Sequence, residues 1–203
     1  MSQDHKRESI IEAAVKRFAH FGVPKTTMSE IAADLSISKA LLYYYFPDKL
    51  SLYIAVFKSV TELDSNKVED LVNREKDPLN AIQLFLENRT DLIIKYHNIL
   101  QYLKTFAPQK IPKELEPVFA TLNERELKRI TSIINRGNES GYFKLENVQK
   151  SAALYFEFLE GFRFAFFARN PNFFPDKKQF QAILKREKEF SVIFFNGLKK
   201  ISK

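Results

Sequence analysis

Residues 27–49 read Thr27-Met28-Ser29-Glu30-Ile31-Ala32-Ala33-Asp34-Leu35-Ser36-Ile37-Ser38-Lys39-Ala40-Leu41-Leu42-Tyr43-Tyr44-Tyr45-Phe46-Pro47-Asp48-Lys49. Met28, Ile31, Ala32 and Leu35 recur at helical spacing, and Glu30 stands three residues after Thr27. This is a capping box, in which the Thr hydroxyl and the Glu carboxylate satisfy orphan amides at a helix start. Ser36-Ile37-Ser38 then interrupts the pattern. Ser38 suits the N-cap of a third short helix spanning Lys39 to Phe46, which Pro47-Asp48 ends. Lys49 opens a longer helix, expected to reach about Leu71.

Upstream, Ile11, Ala14, Val15, Phe18 and Phe21 line one face of a first helix that stops near Gly22, with Pro24 beyond. Downstream, Asp77-Pro78 is an N-cap with proline in the first turn. Leu79, Ile82, Phe85, Leu86, Ile93 and Tyr96 form the stripe that follows. Pro108 to Pro112 reads as a linker. A helix from about Pro117 to Arg136 is expected to end in Gly137 and the turn Ser140-Gly141. Two last helices, near 147–168 and 176–200, are split by Asn170-Pro171 and Pro175. No run alternates with period two, so the chain is expected to be all-α. It divides into a three-helix helix-turn-helix head, 1–49, and a larger helical domain, 50–203.

Composition narrows the function. The 203 residues are 45% hydrophobic and 28% charged, which are globular values. No cysteine is present, so thiolate catalysis and Cys-ligated metals are excluded. With five glycines, no phosphate-cradling glycine string occurs. The histidines, His5, His20 and His97, form no HExxH pattern, and no nucleophile motif appears. The chain is therefore expected not to be an enzyme and to need no cofactor or metal. Glu12, Lys16 and Arg17 interrupt any signal-peptide core. Glu157, Glu160 and Arg163 disqualify Ala152 to Ala168 as a membrane span. A soluble, cytoplasmic protein is expected.

The short second and third helices make a helix-turn-helix candidate. The third must bury Leu42 and Phe46, with Tyr45, and turn its other side toward a major groove. Here the sequence resembles the tetracycline-repressor (TetR) family of transcriptional regulators. The match runs through Thr27-Met28-Ser29-Glu30-Ile31-Ala32, Ile37-Ser38-Lys39 and Leu42-Tyr43-Tyr44-Tyr45-Phe46-Pro47-Asp48-Lys49, and covers roughly residues 8 to 53. Three departures from the family pattern stand out. Ser36 stands where glycine is usual in the turn, Ala40 and Leu41 make the third helix unusually apolar, and Tyr44 replaces a frequent histidine. The departures bear on which bases are read.

The resemblance implies DNA contacts from Thr27, Ser38, Lys39, Ala40, Leu41, Tyr43, Tyr44 and Lys49. In it Thr27 caps the second helix and meets a phosphate, while Lys39, Tyr43 and Lys49 face the backbone. Leu41 would touch a thymine methyl, and Tyr44 a base edge or phosphate. For Thr27 and Ser38 a plain capping role stands beside the phosphate-contact role.

For the remaining helices the resemblance implies effector binding and dimerisation. With 20 Phe and 8 Tyr, an aromatic-lined cavity would favour an apolar or aromatic effector. Candidate lining residues are Tyr53, Phe57, Phe85, Arg89, Tyr96, Tyr102, Phe119, Phe156 and Arg163, with ordinary core packing the competing role. Arg89 and Arg163 are expected to pair with Glu87, Glu157 or Glu160. Phe162, Phe166, Phe190 and Phe194 on the last two helices are the candidate dimer interface. The implied function is a ligand-responsive repressor, working as a homodimer on near-palindromic double-stranded DNA and released by a small effector. Two other classes stay open: a helical lipid-binding or membrane-surface protein using the basic, Phe-rich last helix, and an effector-independent architectural DNA-binding protein. The net charge of +7 does not decide among them. Residues 1–49 hold seven Lys/Arg against six Asp/Glu, whereas residues 169–203 hold nine against three.

Overall fold

A computed structural model describes residues 3–63, 65–106, 111–168 and 175–199. The helices run α1 (Gln3–Phe21), α2 (Met28–Asp34), α3 (Lys39–Tyr45), α4 (Lys49–Leu63), α5 (Ser65–Arg74), α6 (Pro78–Lys95), α7 (His97–Leu100), α8 (Glu116–Glu139), α9 (Val148–Ala168) and α10 (Lys177–Leu198). Two 3-10 turns, Gln101–Thr105 and Lys113–Leu115, lie between α7 and α8. Among the described residues the sole extended pairing is an isolated antiparallel bridge, Phe143 to Lys199. The chain is all-α. No helix among the described residues is long and apolar enough to cross a membrane.

The chain forms two compact units, Met1–Asp64 with Lys95–Val118, and Ser65–Ile94 with Phe119–Lys203. In the first, α1 packs on α2, α4 and α7, and α2 packs on α3. Ile10, Phe18, Ile31, Leu42, Leu52 and Tyr53 are fully buried there. Gly22 ends α1 in the left-handed region (φ 83°), and its N–H donates to the Phe18 carbonyl at 3.0 Å. Phe21, expected on the apolar stripe, is instead half exposed. As the last helical residue it lies past the buried row, and the Arg17 guanidinium covers its ring at 5.6 Å. Ser36 turns the chain between α2 and α3 at φ 50°, the one left-handed non-glycine among the described residues. A residue with a Cβ pays about 1–2 kcal/mol to sit there.

The second unit centres on Ile82, Phe85, Leu86, Ile130, Ile133, Ile134, Tyr155 and Phe195. Asp77 caps α6 by accepting from the Asn80 N–H at 2.9 Å. Asp176 and Gln179 cap α10 reciprocally.

Helix runs through Lys49–Leu63 and again through Ser65–Arg74, and residue 64 between them lies outside the described residues. Two expected boundaries move. α6 stops at Lys95, so Tyr96 lies outside it. Gly137 lies inside α8 rather than ending it, and the reason for glycine there is that a Cβ would collide with Phe143 and Pro78. The terminator is Gly141, at φ 76°. Residues 108–110 of the expected linker, and the Asn170-Pro171 break, lie outside the described residues.

Candidate nucleic-acid interface

The α2–α3 hairpin is built from local bonds. Thr27 Oγ1 accepts from the Glu30 N–H at 3.3 Å, and Glu30 Oε2 accepts from the Thr27 N–H at 2.7 Å and hydroxyl at 2.8 Å. These bonds hold the Glu30 carboxyl below its ordinary pKa, the Thr27 amide being the largest cause. Ser38 caps α3, its Oγ accepting from the Leu41 N–H at 3.1 Å. Arg17 of α1 ties the back of α2: its Nε and Nη2 both donate to the Asp34 carboxylate, and Glu30 lies 3.5 Å away. The guanidinium hydrogen bond lowers the Asp34 pKa. One guanidinium thereby offsets part of the charge of two carboxylates near the interface.

α3 buries Leu42, and Phe46 at its C-cap, while Lys39, Ala40, Leu41, Tyr43 and Tyr44 face outward. Tyr44 is 70% exposed and packs edge-on against Tyr45 at 5.3 Å between centroids. Tyr45 itself, expected in the core beside Leu42 and Phe46, is only half-buried. It follows Leu42 by three residues and so sits at the margin of the buried row.

Lys49 is half-buried. Its Nζ donates to the Thr26 carbonyl at 2.8 Å and to the Pro24 carbonyl at 3.4 Å. Burial lowers its pKa, partly opposed by Glu30. Asn98 of α7 makes a second clasp, its amide donating to the Ala19 carbonyl at the end of α1 at 2.8 Å. Nothing in the local sequence signals these partners, which lie 23 and 79 positions away.

The nine candidate pocket residues are divided between the two units. In the first unit, Tyr102 stacks edge-on with Tyr53 at 4.8 Å, and Phe57 lies 6.1 Å from Tyr53. The Tyr53 hydroxyl is buried with no hydrogen-bond partner among the described residues, and burial raises its pKa. Tyr96 belongs to the same unit, half-buried under Lys95, whose Nζ lies 4.9 Å from its ring centroid.

In the second unit, Phe85 is core, and Phe119 and Phe156 are half-buried. Arg89 and Arg163 share Glu126, at 3.3 and 2.8 Å. Arg163, 3% exposed, also donates through Nε to Glu187 at 2.6 Å and through Nη1 to Glu160 at 2.9 Å. Of the three expected carboxylate partners only Glu160 joins the network, and Glu87 pairs with Lys188 instead. Burial alone would lower the Arg163 pKa, yet Glu126 and Glu187 hold it above its ordinary value. Ser191 donates to the Glu187 carbonyl at 2.6 Å, so the Tyr155 hydroxyl, 2.5 Å from Ser191 Oγ, is the donor of that pair. Glu187 and Ser191 interrupt the apolar row Phe180, Leu184, Phe195 in the sequence, a signal that a buried polar partner was needed.

On α9 and α10, Phe190 and Phe194 pack on Tyr155 at 5.6 and 5.1 Å, and Phe162 and Phe166 are half-buried. Among the described residues the exposed large apolar side chains of α9 and α10 are Leu154, Phe158, Val192, Phe164 and Ile193, the last two 75% and 72% exposed. Among the described residues no group of three or more His, Cys, Asp or Glu is arranged to hold a metal ion.

The family model of bacterial regulatory proteins of the tetR family matches residues 10–56. RutR, an HTH-type transcriptional regulator of Escherichia coli, is 40% identical over 58 residues, covering 29% of this chain and 27% of RutR. KstR2, an HTH-type transcriptional repressor of Mycobacterium tuberculosis, is 24% identical over 143 residues, covering 68% of this chain and 70% of KstR2. The chain spans less than a third of the length of the curated regulators it matches through the head. A solved transcriptional regulator from Cytophaga hutchinsonii is 28% identical, with TM-score 0.83 over 96% of this chain and 99% of that one. The helix-turn-helix region, residues 10–56, is thus that of the tetR family of bacterial regulators, and the chain is similar along its length to a solved transcriptional regulator.

Proposed function

We propose that this chain is a cytoplasmic, homodimeric DNA-binding repressor that leaves a near-palindromic operator when a small apolar or aromatic effector binds. One observation carries the reading: α3 buries Leu42 and Phe46 and turns Lys39, Ala40, Leu41, Tyr43 and Tyr44 outward. Residues 1–49 bind DNA, and residues 50–203 bind the effector and dimerise. Two copies of α3 enter successive major grooves about 34–36 Å apart. Thr27, Ser38, Lys39, Tyr43 and Lys49 serve the backbone, and Ala40, Leu41 and Tyr44 face the bases.

α4 is the transmitting element. Lys49 holds the turn before α2, and Tyr53 and Phe57 lie one and two helical turns further along. An effector seated against Tyr53, Phe57 and Tyr102 shifts α4, and Lys49 carries the shift to the head. Release requires only that effector and operator favour different head spacings. The dimer seam joins α9 and α10 to their symmetry mates, with Leu154, Phe158, Phe164 and Ile193 extending the surface around Phe162, Phe166, Phe190 and Phe194.

Fluorescence anisotropy of the intact protein on a duplex from upstream of its gene tests the DNA reading. If roughly six to eight phosphates are contacted per dimer, affinity falls by about 10³–10⁵ between 50 and 200 mM salt. A flat response to salt rejects the proposal.

A further inference from the structure

Resting on the reading that α3 enters a major groove, we infer that this helix selects its operator through thymine C5-methyl groups met by Ala40 and Leu41. Leu42 and Phe46 point inward and fix the rotation of α3. With about 100° between successive residues, the direction opposite them falls on Tyr44, with Ala40 and Leu41 roughly 40° and 60° to either side of it. Leu41, 37% exposed, lies on one flank of that line, and Lys39 and Tyr43 lie on the other. The Ser38 cap fixes Leu41 in the first turn of α3, the part of a recognition helix that reaches base edges.

The chemistry of this face is restricted. Residues 39–45 contain no Arg, Asn or Gln, the side chains that most often read guanine or adenine by paired hydrogen bonds. Lys39 is the one cation among them, and it stands on the Tyr43 flank. Tyr44 stands at the centre of the face, and the positions on either side of it are a methyl, at Ala40, and an isobutyl group, at Leu41. Donors and acceptors on base edges gain nothing from either, whereas thymine alone offers an apolar group in the major groove. Ala40 also allows the α3 backbone to approach the groove floor more closely than a larger residue would. Specificity then comes from where methyls stand along the two half-sites, and Tyr44 adds a ring and one hydroxyl beside them.

The test uses the intact protein and a duplex selected by it from random sequence. Each thymine of the selected site is replaced in turn by deoxyuridine, which removes only the methyl. Removing a contacted methyl should weaken binding about fourfold, and about fifteenfold when the same position is changed in both half-sites. At that position a 5-methylcytosine·guanine pair should bind more tightly than an unmethylated cytosine·guanine pair. Leu41→Ala, at an exposed position where the fold is expected to survive, should bring the uracil penalty at its own thymine close to onefold, with the thermal melt unchanged. Selective binding that no uracil substitution weakens, or a uracil penalty that Leu41→Ala leaves intact at every thymine, overturns the inference while the repressor reading stands. Failure to enrich any sequence overturns both.

Discussion

The Lys49 ammonium donates to the Thr26 carbonyl at 2.8 Å, so the first residue of α4 holds the turn that leads into α2. Thr26 is itself buried, and its hydroxyl donates to the Gly22 carbonyl at 3.0 Å. Lys49 is thus a structural strut in the free protein as well as a proposed phosphate partner. Lys49→Ala should cost about 1–3 kcal/mol by leaving the Thr26 carbonyl short of a donor. It should also weaken binding to operator and random duplexes alike, because the turn is blind to sequence. Tyr44→Ala should change preference among operators instead. Urea unfolding and anisotropy on both duplexes read these effects, and identical behaviour of the two variants would reject the assigned roles.

Arg163 and Glu187 form the most buried ion pair described. Removing one partner strands the other charge in the core. Glu187→Ala should therefore lower unfolding free energy by about 3 kcal/mol, the low end for a buried pair because Glu126 still faces Arg163. Replacing both, as Arg163→Met with Glu187→Leu, should cost less than the single change. Urea unfolding at fixed protein concentration distinguishes the two orders.

Acid should loosen the head first at its caps. Glu30 and Asp48 are held below their ordinary pKa chiefly by backbone amides, of Thr27 and Ser51, and Asp34 by Arg17. Folded values below unfolded ones mean that this stability is fully present above the ordinary carboxylate range, near pH 4. It is lost as pH falls through the depressed values. Circular dichroism melts between pH 7 and 2.5 should show a shallower acid slope for Glu30→Gln than for the parent. Thr27→Ala should cost about 1 kcal/mol at neutral pH through the lost cap.

Ser36 sits at φ 50°, where glycine carries no Cβ penalty. Ser36→Gly should raise the melting temperature, with a gain of up to about 1 kcal/mol after the larger chain entropy of glycine is counted. Ser36→Val should lower it, since a β-branched side chain tolerates that region least.

Phe164 and Ile193 present large apolar groups to solvent in the single chain. If they line the two-fold seam, Ile193→Asp should shift the protein from dimer to monomer by light scattering. The same change should weaken operator binding at low protein concentration. An unchanged mass would move the interface elsewhere.

The sequence alone determined where the helices of the head begin and turn. The Thr27/Glu30 box, the Ser38 cap and the strained Ser36 all depend on atoms within about four residues, so their chemistry is legible in a short window. Apolar spacing likewise predicted the buried Leu42 and Phe46, and with them the outward face of α3. Tertiary structure decided the rest. Lys49 finds Thr26 across 23 positions, Asn98 finds Ala19 across 79, and Arg163 takes Glu126 and Glu187 across 37 and 24. Gly137 lies inside a helix, and its glycine serves close packing, because Phe143 and Pro78 occupy the space of its missing Cβ. A charged or small residue declares that a partner is needed, but only the path of the chain brings a particular partner within reach, because burial raises the cost of leaving it unpaired.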